Sequence, residues 1–376
     1  MILKPAVLIV GGGPAGATAA RFLAEEGIET LLVERDFSYV KPCGGGIPSG
    51  AITEFSLPWN IVKKRVDKIL IVSPENSKIE IALKDGFICI TERCAFDACL
   101  RKMAQDRGAL LIEGEFTGFE AKGSCFVSNV RRKADGAVLR VQSSYILAAD
   151  GITFSVGRKS GQPALNRLYT ISSRISGFEG DSCEFWFGSS HASNFYSWVF
   201  PSAGNASIGT GSRTARECPA LLREFLQRRF RYEAEESRLE EALSRYRIFP
   251  VPAWRNSSFR LGRILFLGDA AAMVMPVTYE GIYYAMKSGQ FAAAAVLENS
   301  PHNYRKLWEA RFGRRFRIMD RVKDHFFRDN RSIEKWVAIH KSPAVQELAM
   351  RLWLLKKPGN RQLFAYLKAF GSLLSS

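Results

Sequence analysis

Near the start of the chain, Ala6-Val7-Leu8-Ile9-Val10 is an unbroken apolar run of strand length. Over 14–26 the apolar positions recur at helical spacing, and 29–34 holds a second short apolar run. Buried strand, helix, buried strand in that order predict a βαβ unit. Residues 96–107 carry the period of an amphipathic helix, and 109–113 follows as a short strand. Period-two alternation over 115–147 predicts a β meander that ends in Tyr145-Ile146-Leu147-Ala148-Ala149. The stretch 166–212, rich in Phe, Ser and Gly, predicts an open antiparallel sheet. Helices are expected at 219–230, at 235–245 and, built from small residues, at 280–297. A buried strand is expected at 264–267, and the chain from 301 onward is helical and basic.

The composition, with 47% hydrophobic and 24% charged residues, excludes a disordered or fibrous protein. A length of 376 residues suggests two to three domain-sized units around a core large enough for a buried cofactor. The net charge of +16 favours an anionic partner: nucleic acid, an acidic membrane surface or a phosphorylated ligand. That charge is concentrated after residue 300, where 17 Lys/Arg face 6 Asp/Glu. Such a face is either solvated or docks onto an anionic membrane, aided by Trp353, Leu354, Leu355 and Phe364. No apolar run approaches the ~18–20 residues of a membrane span, and 291–297 falls well short. Nor does the N-terminus carry a secretory pattern, so a cytoplasmic protein is expected, with peripheral contact at the inner face of a membrane as the further option. The seven cysteines lack a CxxC pair, and no His stands near Cys89, Cys94 and Cys99 to complete a zinc site. No metal is therefore expected. Six of the seven are expected as reduced, mostly buried small hydrophobes, with Cys43 set apart.

Chemistry enters at Gly11-Gly12-Gly13-Pro14-Ala15-Gly16, which fits G-x-G-x-x-G between a strand and a helix. Gly11 permits the tight turn, Gly13 lets the backbone approach a pyrophosphate, and Gly16 lets helix pack on strand. The helix N-terminus stabilises phosphate charge. Glu34 ends the second strand at the spacing that serves ribose hydroxyls, with Arg35 beside it. The motif by itself does not separate FAD from NAD. Further along, Leu265-Phe266-Leu267-Gly268-Asp269-Ala270-Ala271 is a strand ending in Gly-Asp before a small-residue helix. An acid there binds polyol hydroxyls. Ala148-Ala149-Asp150-Gly151 has the same strand-Asp-Gly form, and Arg93 stands just before a helix, placed for phosphates. In this order the segments resemble the FAD-binding fold of flavin hydroxylases and their relatives.

Lys41-Pro42-Cys43-Gly44-Gly45-Gly46-Ile47-Pro48 resembles the cysteine-glycine motif of the geranylgeranyl reductase family. Phe195-Tyr196-Ser197-Trp198-Val199-Phe200-Pro201 is similar to its YxWxFP motif. Ser207-Ile208-Gly209-Thr210-Gly211 and Glu280-Gly281-Ile282-Tyr283-Tyr284-Ala285-Met286 resemble the branch that makes the phytyl tail of chlorophylls and bacteriochlorophylls. The likeness runs from residue 6 to about 357. The chain departs from the family at Ser193, where Pro is usual, and at Ala272 and Tyr279, where Gly is usual. Ser155 stands one position later than usual.

The resemblance implies an α/β protein with a Rossmann-like FAD-binding fold of the flavin hydroxylase type, an antiparallel β-sheet substrate domain and a helical C-terminal region. Residues 1–165 and 256–300 would form the two parts of the FAD-binding domain. Residues 166–255 would form the substrate domain, and 301–376 the basic helical region. It further implies FAD reduced by NADPH, then hydrogenation of isolated double bonds in a geranylgeranyl chain. The cofactor-binding candidates are Gly11, Gly13, Ala15, Gly16, Glu34, Arg35, Cys43, Gly44, Gly45, Arg93, Asp150, Gly268, Asp269, Gly281 and Ile282. The catalytic candidates are Cys43, as proton donor or shaper of the site, and Tyr196 and Trp198. Those two alternate with Ser197 and share a strand face with Phe200, as core or as the wall of an isoprenoid tunnel. His191, four residues from this strand, is read as a surface-loop residue, with an acid role as the alternative. The expected partner is the isoprenoid substrate.

Two further classes are kept. A flavin monooxygenase or halogenase on the same fold would not carry YxWxFP, and another isoprenoid lipid or a quinone chain is an alternative substrate. A non-enzymatic lipid- or nucleic-acid-binding protein has charge in its favour, but the chain lacks any reading module and the aromatics do not interleave with the basic run.

Overall fold

The computed structural model describes residues 2–230, 236–254 and 259–356. It divides into two compact units, each assembled from three separate stretches. The first unit takes Met1–Val40, Cys94–Asn166 and Pro252–Arg317; the second takes Lys41–Arg93, Arg167–Val251 and the chain from Ile318.

In the first unit a nine-stranded sheet has at its centre the parallel strands Leu110–Lys122, Thr30–Glu34, Val7–Val10, Tyr145–Ala148 and Ile264–Phe266, in that spatial order. Val7, Leu8 and Ile9 are fully buried, as an unbroken apolar run must be in a parallel strand covered on both faces. The helix Pro14–Glu25 packs against the helix Ile282–Leu297 through small residues. A Cβ on Gly289 would lie 2.3 Å from the carbonyl oxygen of Ala15, so the two backbones touch.

The helical readings hold with small shifts. The helix expected at 96–107 begins at Arg93 and ends at Gln105, and the one expected at 280–297 begins at Ile282. Two strand readings need correction. The strand expected at 109–113 continues as Leu110–Lys122, long enough to pair with Thr30–Glu34 and then with Cys125–Arg132. Tyr145–Ala148 is not the last turn of a meander. It leaves the antiparallel strands and inserts beside Val7–Val10, where its four buried residues belong.

The second unit is built on a seven-stranded sheet in the order Arg247–Pro252, Arg167–Ser176, Asn205–Ser212, Ser197–Ser202, Ser182–Trp186, Lys68–Val72, Lys78–Ala82. The expected antiparallel pairing of 166–212 is present, but Ser182–Trp186 also pairs in parallel with Lys68–Val72, which the sequence reading left unassigned. A three-stranded sheet of Gly46–Pro48, Ile88–Thr91 and Val62–Val66 accompanies it.

One face of the large sheet, with Ile171, Trp186, Val199 and Ile208, packs on Leu222, Phe225 and Leu226 of the helix Cys218–Phe230. The opposite face carries Phe185 and Phe200, packed on Val66, Ile90 and Cys183. From the last turn of that helix Arg229 grips Glu184 of the sheet through two hydrogen bonds of 2.7 and 2.8 Å, and the Trp186 indole donates to the same carboxylate. A buried charge is tolerated only when paired in this way.

The chain after residue 300 is helical through Trp353, with a π-helical turn at Glu309–Gly313. Among the residues expected to meet a membrane, Leu354 is instead buried, its side chain against Gly86. Trp353 and Leu355 are half-buried, and Phe364 lies outside the described residues. Among the described residues no helix is long and apolar enough to cross a membrane. Of the six cysteines expected inside, Cys89, Cys183 and Cys218 are buried, Cys99 and Cys125 are half-buried, and Cys94 is exposed at the start of its helix. All are free thiols, and no metal-binding cluster occurs among the described residues.

Candidate functional site

The first unit assembles a dinucleotide loop from backbone. Strand Val7–Val10 delivers Gly11 at φ +107°, a conformation open to glycine, and its N–H donates to the Val33 carbonyl at 2.8 Å. A Cβ there would stand 2.2 Å from the Ala149 carbonyl oxygen, and one on Gly16 would stand 1.9 Å from the Gly11 carbonyl oxygen. Gly13 differs: a Cβ there would meet nothing within 4 Å. It caps the helix Pro14–Glu25 without any side-chain cap, so the first-turn amides face the open side of the loop. This room beside uncapped amides fits a pyrophosphate. Ala15 is buried and abuts the second cofactor segment, since a Cβ on Gly268 would lie 3.2 Å from Ala15 Cβ.

Glu34 accepts the Gly12 N–H at 2.7 Å and the Asp36 N–H at 3.3 Å, which fixes its carboxylate beside the loop. Arg35 is exposed. Asp150 accepts the Val156 N–H on one oxygen at 2.8 Å, while its other oxygen is buried with no partner. Burial pushes this carboxyl up to about 6, the hydrogen bond from Val156 opposing the shift. An orphaned acid within the loop region is a group that a ligand would satisfy. Gly268 adopts φ +56° and donates to Ser288 Oγ at 2.9 Å, and Asp269 follows in the 3-10 turn Gly268–Ala271. Gly281 precedes Ile282, the first residue of the long helix.

Between these points the backbone is unusual. Ala272, Val277 and Tyr279 all take positive φ, at +52°, +77° and +51°. Ala272 and Tyr279 are the two positions where glycine is usual in the resembled family. The glycine-type conformation persists there without glycine, at a strain of roughly 1–2 kcal/mol per residue.

One residue that the sequence reading passed over belongs with the loop. Arg101 is buried and donates to the carbonyls of Gly12 at 3.4 Å and Phe37 at 2.9 Å, with its guanidinium over the Phe37 ring. The signal was present in the sequence. Arg93, Asp97 and Arg101 recur every four residues of one helix and are all buried, a charged stripe on a face that should be apolar. Arg93 is the first residue of that helix rather than a residue ahead of it.

The second unit assembles its candidates from side chains. Gly44 faces the aromatic strand, and a Cβ on it would stand 2.6 Å from the Phe200 ring and 3.5 Å from Trp198 Nε1. Gly45, at φ +75°, receives both the N–H and the hydroxyl of Thr91 on its carbonyl. Its own N–H points to Cys43 Sγ at 3.3 Å, and Cys43 is half-buried. Trp198 lies across Gly209, where a Cβ would come within 2.3 Å of the indole. Tyr196 and Phe200 each lie 5.3 Å from Phe185, centroid to centroid, and Tyr196 lies 6.3 Å from Trp198. The aromatic positions of the motif therefore form one contiguous wall.

His191 is a correction. It is fully buried, not a surface-loop residue. Its Nδ1 is 2.7 Å from Ser197 Oγ, and its carbonyl accepts from Ser197 and Thr210. Burial, with the Arg228 charge as a lesser cause, pushes it down to about 4, so it is neutral. It pins the turn ahead of the aromatic strand.

Residues 4–52 and 61–294 match the family described as FAD binding domain. Geranylgeranyl diphosphate reductase, chloroplastic, of Oryza sativa subsp. japonica is 30% identical over 94% of this chain and 82% of that protein. Geranylgeranyl diphosphate reductase of Synechocystis is 29% identical over 100% of this chain and 98% of its own length. A geranylgeranyl bacteriochlorophyll reductase-like protein from Thermoplasma acidophilum shares the fold, with a TM-score of 0.84, 23% identity and coverage of 100% and 98% of the two chains. The flavin-dependent brominase Bmp2 shares it with a TM-score of 0.77 and 17% identity, covering 99% and 98%. With a FAD-type loop in one unit and a cysteine-glycine loop packed on an aromatic wall in the other, the chain belongs to the geranylgeranyl reductase family of FAD-binding proteins.

Proposed function

We propose that this protein is a FAD-dependent reductase that hydrogenates isolated double bonds of a geranylgeranyl chain, with NADPH as electron donor and a geranylgeranyl-chlorophyll, geranylgeranyl-bacteriochlorophyll or geranylgeranyl diphosphate as substrate. The observation that carries the reading is the packing of the Cys43 loop on Trp198 and Phe200, in a chain that also holds an open, uncapped dinucleotide loop.

When bound, FAD supplies the hydride for the reduction. The first-turn amides beyond Gly13 and the turn at Gly11 hold its pyrophosphate, Glu34 takes ribose hydroxyls, and Asp269 takes those of the polyol. An isolated alkene is a poor hydride acceptor, so the rest of the work is positional. Tyr196, Trp198 and Phe200 offer a dry aromatic surface to an isoprenoid chain and exclude water from it. Cys43 gives its thiol proton to the second alkene carbon, and the thiolate left behind takes a proton from solvent, which a half-buried side chain can reach. The excess of Lys and Arg after residue 300 supports peripheral contact with an anionic membrane that presents such substrates.

The test is the mass of the isoprenoid after anaerobic incubation with protein, FAD and NADPH. Geranylgeranyl-chlorophyllide, geranylgeranyl diphosphate and a digeranylgeranylglycerophospholipid would be run side by side, the last because a reductase of Methanocella arvoryzae with that name is 28% identical over 76% of this chain. Stepwise gain of hydrogen pairs is the expected result, and the best substrate identifies the head group. No gain on any of them, with NADPH still bleaching the flavin, overturns the reading. A peroxide burst with hydroxylated or halogenated product would move the protein to the monooxygenase class.

A further inference from the structure

Ser207 lies on the strand Asn205–Ser212, next to Ile208, whose side chain is buried against the helical layer. Alternation therefore turns Ser207 to the opposite, aromatic face. The register places it across from Phe200, with Gly209 across from Trp198. Its hydroxyl oxygen accepts the Trp198 indole N–H at 3.3 Å, and its hydroxyl proton goes to the carbonyl of Cys43 at 3.4 Å. Ser207 is thus hydrogen-bonded to both of the elements that the proposed function singles out, one on each side.

The geometry matters because nothing else in this stretch is rigid by itself. Cys43 starts a run of three glycines, the residues with the most backbone freedom. Thr91 fixes that run at the Gly45 carbonyl, two residues beyond Cys43. Ser207 fixes it at the Cys43 carbonyl itself, and the Gly45 N–H then meets the Cys43 sulfur. With both carbonyls held, the thiol has a set direction. The indole on the other side is confined by Gly209, so it cannot follow the loop if the loop moves.

We propose that Ser207 is a positioning residue of the reductase: it holds the Cys43 loop to the Trp198 wall and so aims the thiol at the chain that lies on the wall. This rests on the proposed function, but the arrangement itself is testable without it.

The experiment compares the FAD-loaded wild-type protein with Ser207→Ala and Ser207→Thr, reading the alkylation rate of each cysteine by iodoacetamide at the peptide level across pH. In Ser207→Ala the Cys43 rate is expected to change by about fivefold, the factor one intramolecular hydrogen bond is worth. Cys94, exposed in the other unit, serves as the internal standard and stays unchanged. Ser207→Thr keeps the hydroxyl and restores the wild-type rate. Trp198→Phe keeps an aromatic ring but loses the N–H, and is expected to move Cys43 in the same direction by less. In the reductase assay Ser207→Ala lowers kcat by about tenfold, with KM within about twofold, because the thiol is misaimed while the wall remains. A Cys43 rate in Ser207→Ala equal to wild type overturns the proposal, whatever the reductase assay gives. If the wild-type protein reduces no geranylgeranyl substrate while Cys43 still responds to Ser207, the arrangement stands and the proposed function falls. Should Ser207→Ala yield no folded protein, Trp198→Phe with Ser207→Thr decides it on the same readout: a Cys43 rate that Trp198→Phe leaves unchanged overturns the proposal.

Discussion

The two units build their candidate sites from opposite materials. The first uses backbone: glycines where a Cβ would strike a carbonyl, amides left uncapped, and helices that touch main chain to main chain. The second uses side chains: an aromatic wall whose members are brought together by sheet register, and a cysteine loop seated on it. A backbone site is all-or-none, because one methyl group in the wrong place moves an entire loop. A side-chain site degrades by steps, since each ring removed leaves the others in place.

The sharpest way to break this contrast is at Gly16. Gly16→Val puts carbon within 1.9 Å of a carbonyl oxygen, and FAD affinity is expected to fall by at least about a hundredfold, read from the flavin absorbance retained after gel filtration. Retention of flavin would mean that the loop yields more easily than a backbone site should. Next is Trp198→Ala. Removing a buried Trp destabilises by about 3–5 kcal/mol, and the substrate KM should rise by about tenfold or more while bound FAD per protein stays constant. Flavin loss ahead of the KM rise would show that the wall serves the cofactor rather than the isoprenoid.

A third comparison uses acid. Burial favours the neutral form of one group in each unit, but moves the two in opposite directions. Asp150 is raised to about 6, so its contribution to stability grows as pH falls from there toward the ordinary carboxylate value. His191 is lowered to about 4, so the folded state loses stability as pH falls from the ordinary imidazole value toward 4. Each effect is on the order of 3 kcal/mol, and the two oppose each other over the shared window. His340, also lowered by burial, adds to the loss in acid, so between pH 7 and 4 urea midpoints should fall more steeply in Asp150→Asn than in wild type and less steeply in His191→Asn. Parallel curves for all three proteins would sink the assignment. The smallest effect is at Ala272. Ala272→Gly releases about 1–2 kcal/mol of left-handed strain against a glycine entropy penalty of about 0.5–1 kcal/mol. The expected gain is under about 1.5 kcal/mol, seen as a small rise in Tm.

The same contrast explains what the sequence made legible. The Gly11 to Gly16 turn, Glu34 and the Gly268-Asp269 segment stood out because backbone geometry demands particular residues at particular spacings. The Cys43 and Trp198 motifs were recognisable by resemblance, but their contact was not. It depends on which strand lies beside Ser197–Ser202, and register across a sheet leaves no local mark. Tyr145–Ala148 was misplaced for a related reason: a four-residue apolar run looks alike whether it closes a meander or enters a parallel sheet. His191 was misread because its partners, Ser197 and Thr210, are ordinary residues until the fold surrounds them. Arg101 was missed because the helix period drew attention to its apolar members.

The contact between Gly289 and Ala15 has a consequence for the order of events during synthesis. The phosphate loop emerges before the helix that seats it, which is about 270 residues behind, and the sheet strand Ile264–Phe266 is hardly closer. At about 5–20 residues per second, a ribosome needs on the order of 15–60 s to supply them. Throughout that interval Tyr145–Ala148 lacks its partner strand Ile264–Phe266 and the helix Pro14–Glu25 lacks the helix Ile282–Leu297, so the nascent chain offers the flavin only a fragment of its cradle. Loading with FAD is thus a late event, tied to the emergence of Gly289. A chain that stalls before then would present the open edge of Tyr145–Ala148 and the small-residue face of the helix Pro14–Glu25 to whatever else is nearby.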